Sequence, residues 1–183
     1  MSEANLEKAT LIKANLTNAN LTNANLNDVK IEGANLTGVD LSGRDLSGFD
    51  LNNVNLTNAN LTSVHLTDAN LTNTNQTNAN LTNANLMNAN LTNANLTNAN
   101  LTNANLTNAN LTNVNLTNVQ LTDANLTNAN LTDAKIPKFS ALLSASQACI
   151  LESMLPISSS SFRKVGEYRP SLKSHTAAQL ISM

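Results

Sequence analysis

Ala94-Asn95-Leu96-Thr97-Asn98-Ala99-Asn100-Leu101-Thr102-Asn103 is one five-residue unit written twice. Outward from it in both directions, every fifth position from Leu6 to Ile136 belongs to the same register. Of these 27 positions, 26 hold Leu or Ile and one holds Gln76. The residue two places earlier is Ala or Val in 24 of the 27 units. A period this strict makes the chain a repeat array, in which no unit is stable alone and stacking creates the core.

A period of five fits neither the 3.6 of a helix nor the two of a long strand, but it suits a short extended segment followed by a turn. With Leu as position i, the small residue at i−2 and the Leu at i point to the same side of the extended segment, and Asn at i−1 points to the other, toward water. Positions i+1 and i+2 remain for a corner. A type II turn requires positive φ at its second central residue, where Gly or Asn is tolerated. The i+2 position is mostly Asn, with Gly at Gly33, Gly38, Gly43 and Gly48. Hydrophobic period and corner chemistry therefore agree, as a foldable sequence requires. Each inward Leu contributes about 1.5–3 kcal/mol gross.

The motif Ala-(Asn/Asp)-Leu-X-X, carried across residues 4–136, resembles the pentapeptide-repeat family. That resemblance implies an all-β solenoid, a right-handed quadrilateral β-helix with four units per coil. The 27 units would then make about seven coils, in a rod roughly 30 Å long at strand spacing. It further implies a non-enzymatic structural scaffold or protein-interaction module. Some members of the family resemble duplex DNA in size and charge and bind type II topoisomerases.

On a 20-residue coil, the departures from the motif acquire neighbours. Gln76 would stack between Leu56 and Leu96, and Thr74 between Val54 and Ala94, suggesting a buried polar pair or a buried water. Arg44 would stand between Ala24 and Val64, where an unpaired guanidinium is costly. A local bulge, or escape along the aliphatic stem, is expected there, with Asp45 and Asp50 as possible partners. Phe49 would stand between Val29 and Ala69. The interior pattern breaks are thus Arg44, Phe49, Thr74 and Gln76. Gly38–Phe49 is the least repetitive stretch, and Asp40, Arg44, Asp45 and Asp50 form the candidate interaction surface.

Composition excludes several classes. Residues 1–136 carry ten acids and five bases, a net of −5, so direct nucleic-acid binding by the repeat is not expected. A phosphate mimic needs far denser charge, since B-DNA carries one per roughly 1.7 Å of axis. The single cysteine, Cys149, excludes an internal disulfide and a multi-cysteine metal site. His65 stands at an outward position with no metal-spaced companions. No nucleophile–base arrangement or phosphate loop is present, so no catalytic residue, metal or cofactor is expected. The N-terminus lacks a basic and an apolar region, and no apolar stretch of about 18 residues occurs, which points to a cytoplasmic protein off the membrane. The many Asn-Leu-Thr triplets match a glycosylation pattern only as a by-product of the repeat.

At Ile136-Pro137 the period ends. Residues 139–155 space apolar groups at three and four, which predicts an amphipathic helix within 137–156, ended by Pro156. Its expected role is to cap the solenoid or join two copies end to end. Residues 157–183 read as a flexible tail. A protein partner is expected. The alternatives are a DNA-mimic modulator of a type II topoisomerase and an ice-binding surface made of Thr ladders such as Thr57, Thr77, Thr97 and Thr117.

Overall fold

The structure is a computed structural model that describes residues 3–136 apart from Thr22. The expected C-terminal helix and the tail lie outside the described residues.

Unit 94–98 shows where the five backbone N–H groups of a repeat go. Ala94 N donates to Leu91 O at 2.9 Å, closing the preceding corner. Asn95 N donates to Thr74 O, one coil back, at 2.9 Å. Leu96 N and Asn98 N donate one coil forward, to Asn115 O and Thr117 O, both at 2.9 Å. The fifth, Thr97 N, donates to the Asn95 side chain, Oδ1, at 3.1 Å. All five donors are satisfied, as a folded backbone requires. The last bond explains the preference at i−1: Asn or Asp holds a Thr N–H that no backbone carbonyl reaches.

These bonds build parallel ladders in which residue i always pairs with i+20, giving four units per coil. Four lines of pairing run along the rod. Wall one carries Asn15, Asn35, Asn55, Asn75, Asn95, Asn115 and Lys135. Wall two carries Asp40, Asn60, Asn80, Asn100 and Gln120. Wall three carries Asn5 with Asn25, then Asp45, His65, Asn85, Asn105 and Asn125. Wall four carries Thr10 with Lys30, then Asp50, Asn70, Asn90, Asn110 and Asn130. The fold is a β-solenoid whose β-structure is one paired residue per side of each coil.

The corners take the expected form. Every i+2 residue from Glu3 to Asp133 has φ between +53° and +70°, and the i+3 N–H bonds back to the Leu carbonyl, as Ala79 N does to Gln76 O at 3.0 Å. Positive φ at the second central residue with this bond is the type II pattern. Inside, the Leu and Ala positions are buried almost without exception in the middle coils. Leu6 and Leu11 are only partly buried, because they have a coil on one side alone among the described residues.

Candidate interaction surface

The carboxylates of the irregular segment do the work of Asn. Asp40 Oδ1 accepts from Ser42 N at 2.9 Å, Asp45 Oδ1 from Ser47 N at 3.0 Å, and Asp50 Oδ1 from Asn52 N at 3.0 Å. Asn60 and Asn70, one coil on, donate their Nδ2 to Asp40 and Asp50 at 3.1 and 2.9 Å. The backbone and hydroxyl bonds from Ser42 hold the Asp40 carboxyl below its ordinary pKa. The Asp45 carboxyl is lowered by the Ser47 hydroxyl and backbone, with a smaller contribution from His65. His65 is exposed and pairs directly with Asp45 along wall three.

Because successive units lie on successive sides, Asp40, Asp45 and Asp50 stand on walls two, three and four. The structure gathers them in one coil but does not bring them together on one face.

Arg44 is half-buried, and its guanidinium Nη2 donates to the carbonyl of Ala24, one coil back. The expected partners are corrected: among the described residues, neither Asp45 nor Asp50 lies within ion-pair distance of it. The Ala24 carbonyl is the one that Asp45 N would take in a regular ladder, so the side chain has displaced a backbone bond. Phe49 is also half-buried, packed at the edge of the core.

The expected bulge is present and has a definite extent. Coil pairing holds at Asn15↔Asn35 and again at Asn35↔Asn55, both on wall one. Between them, Asn25 and Asp45 do not pair, nor do Lys30 and Asp50. Leu21 N, Leu26 N, Asp28 N, Ile31 N, Asp40 N, Asp45 N and Asp50 N have no backbone acceptor among the described residues. A slot therefore opens on walls two, three and four and closes on wall one. The cause is volume, because Arg44 and Phe49 occupy positions built for Ala or Val. The corners report the same widening. A Cβ added to Gly33 or Gly38 would meet Lys13 or Asn18, whereas one added to Gly43 or Gly48 would meet nothing within 4 Å.

Gln76 and Thr74 form the expected polar pair inside the rod. Gln76 Nε2 donates to Thr74 Oγ1 at 2.8 Å, and Thr74 Oγ1 donates to Leu71 O at 2.8 Å. Among the described residues Gln76 Oε1 has no partner. The pair is enclosed, with Gln76 0% and Thr74 1% exposed, so it offers no surface.

The Thr residues stack at a spacing of 20 as the sequence implies, but they are joined by hydrogen bonds through Asn side chains, which the sequence reading does not include. On wall one Thr57 Oγ1 donates to Asn55 Oδ1 at 2.6 Å, and Asn75 Nδ2 donates back to Thr57 Oγ1 at 3.0 Å. At the corners Asn98 Nδ2 donates to Asn78 Oδ1 at 3.0 Å, and Asn118 Nδ2 to Asn98 Oδ1 at 3.1 Å. The wall Asn residues of the middle coils, such as Asn55, Asn75 and Asn95, are thus partly buried, while the corner Asn residues stay exposed. Recurrence of Asn and Thr at a spacing of 20 was the signal that could have revealed them.

Among the described residues no group of three or more His, Cys, Asp or Glu could hold a metal ion. Among the same residues no helix is long and apolar enough to cross a membrane.

The family model described as Pentapeptide repeats (8 copies) matches residues 1–38, 34–73, 65–103 and 99–136. The chain is similar to HetL of the cyanobacterium Nostoc sp. strain PCC 7120, a pentapeptide repeat protein involved in heterocyst differentiation regulation. Identity is 34% over 76% of this chain and 67% of HetL, with a TM-score of 0.48. A pentapeptide repeat protein of the Arabidopsis thaliana thylakoid lumen is 33% identical over 67% of this chain and 77% of its own, with a TM-score of 0.45. QnrB1, a plasmid-mediated fluoroquinolone resistance protein, in its trypsin-treated R167E form shares the fold at a TM-score of 0.51. Its identity is 16%, over 84% of this chain and 91% of its own. None of the curated proteins compared with the chain matches it. With the family's repeat matched across residues 1–136, the chain belongs to the pentapeptide-repeat family.

Proposed function

We propose that the chain is a non-enzymatic scaffold that binds a protein partner through the coil containing Asp40, Arg44, Asp45 and Asp50. The observation that carries this reading is the contrast between that coil and the rest. In the middle coils the outward amides and hydroxyls satisfy one another, as in the bonds among Asn55, Thr57 and Asn75. Around Arg44 the repeat leaves backbone groups unpaired and replaces Asn with charge. A partner that selects one place on a repetitive rod needs such a difference. Membership of the family further implies a right-handed quadrilateral helix of about seven coils, with residues 137–156 as its cap.

The test is a pull-down comparing the full chain with an Asp40→Asn, Asp45→Asn, Asp50→Asn triple variant. Asn accepts the same i+1 backbone bond, so the variant keeps the fold. The reading expects a partner that the variant loses, and single substitutions then assign the wall. A partner retained equally by the variant, or none recovered, would sink it.

Neither alternative gains a specific observation. Ten acids diluted by five bases remain far from the charge density of a duplex, and inhibition of gyrase supercoiling is not expected. The Thr hydroxyls of wall one already donate to Asn Oδ1, as Thr97 does to Asn95 at 2.6 Å, which leaves them poorly available to an ice lattice.

A further inference from the structure

We infer that the slot beside Arg44 is a docking site for an extended, basic peptide segment that pairs with both lips as an added β-strand. This rests on the reading that the Asp40–Asp50 coil is the interaction surface, and it names the partner's chemistry.

The lips have the character of sheet edges. The upper lip presents Leu26 N, Asp28 N and Ile31 N, and the lower lip presents Asp45 N and Asp50 N together with the carbonyls of Asp45, Ser47 and Asp50, none with a backbone partner among the described residues. In the regular coils from Leu36 to Leu116 the corresponding groups are bonded, as Leu86 N is to Asn105 O at 2.7 Å and Asn88 N to Thr107 O at 2.9 Å. Unpaired edge groups are a template for another strand, and β-strand addition is the recognition mode that uses them.

Charge selects the partner. The lips carry Asp28, Glu32, Asp45 and Asp50 against Lys30 and Arg44. Where the slot closes on the wall-four side, Glu32 Oε2 and Asn52 Oδ1 are buried acceptors with no donor. Both lie on one corner, 20 residues apart, next to the Gly33 N–Asn52 O bond at 2.9 Å where the ladder resumes. Those two oxygens are enclosed, so an incoming Lys or Arg would meet the exposed carboxylates of Asp28, Asp45 and Asp50. The slot already accommodates one cation, since the Arg44 guanidinium bonds the Ala24 carbonyl. An incoming basic residue would replace that contact.

The test uses a fluorescein-labelled peptide of alternating Lys and Val with the full chain, read by anisotropy. A second peptide of the same sequence is N-methylated at alternate residues, which keeps charge and removes backbone donors. The inference expects the first to bind and the second to bind at least about tenfold more weakly. An Arg44→Ala, Phe49→Ala variant restores the repeat's own residue at both positions, letting the ladder close. It should lose the peptide while its Asp45 and Asp50 amides become protected from hydrogen exchange. Three results overturn the inference: equal binding of the N-methylated peptide, peptide binding unaffected by a variant whose amides have become protected, or no binding up to about 1 mM. If the variant's amides stay open, Asp45→Asn, Asp50→Asn supplies the second arm, and unchanged affinity there also overturns it. A partner lost from the triple variant in pull-down, with no peptide binding, removes this inference and leaves the scaffold reading standing.

Discussion

Gln76 Nε2 donates to Thr74 Oγ1 at 2.8 Å in the interior of the rod, and the other polar atom of the amide, Oε1, has no partner among the described residues. The two residues therefore depend on each other unequally. Thr74 keeps its bond to Leu71 O if Gln76 is removed, but Gln76 loses its only side-chain bond if Thr74 is removed. Gln76→Leu is expected to stabilise the array by about 1–3 kcal/mol, because it removes an unsatisfied buried carbonyl. Thr74→Ala is expected to destabilise it by about 1–3 kcal/mol. Urea midpoints of the two variants check the opposite signs.

Asn98 combines two roles that substitution can separate. Its φ is +58°, and its amide links Asn78 to Asn118. Asn98→Gly keeps the backbone conformation and removes only the ladder. Asn98→Ala removes the ladder and adds left-handed strain of about 1–2 kcal/mol. The Ala variant should therefore unfold at clearly lower denaturant than the Gly variant. Equal midpoints would mean that the corner φ is not a constraint.

Gly38 and Gly48 have nearly the same φ, +69° and +70°, but different surroundings. A Cβ at Gly38 would overlap Asn18 Oδ1, whereas one at Gly48 meets open space beside the slot. Gly48→Ala is expected to cost only left-handed strain, about 1–2 kcal/mol. Gly38→Ala should cost more, because the Asn18 side chain must also move. The order of thermal midpoints tests this.

The carboxyls of Asp40 and Asp45 have depressed pKa values in the folded chain, from hydrogen bonds with Ser42 and Ser47. As pH falls through the ordinary value of 3.8, the unfolded chain takes up protons before the folded one. Stability from these groups is thus full above that value and is lost as pH falls through the lower folded values. Unfolding midpoints of the wild type should drop between about pH 5 and pH 2 by more than those of Asp40→Asn, Asp45→Asn. Identical pH profiles would show that the Ser bonds do not hold the carboxyls.

Much of this geometry was readable before the coil was seen. The inward pair at i−2 and i, the left-handed corner residue and the Gln76–Thr74 pair all follow from residues close in sequence. The ladders of Asn and Thr were not readable from one unit, since each bond joins side chains 18 or 20 residues apart. Asp45 and Asp50 looked like partners for Arg44 because they are its sequence neighbours. In the coil the nearest free acceptor is instead a backbone carbonyl, Ala24 O, stacked directly beneath it. Sequence volume alone marked Arg44 and Phe49 as oversized, but the sides on which the coils part depended on where the ladder remained intact.

Residue-resolved amide hydrogen exchange tests the central claim most directly, that a 20-residue ladder runs along the rod and opens between residues 21–31 and 40–51. Leu86, Asn88 and Leu91, with bonds of 2.7, 2.9 and 2.7 Å to the next coil, should be strongly protected. Leu26, Asp28, Ile31, Asp45 and Asp50 should exchange orders of magnitude faster. Protection of these five equal to that of Leu86, Asn88 and Leu91 would contradict the account.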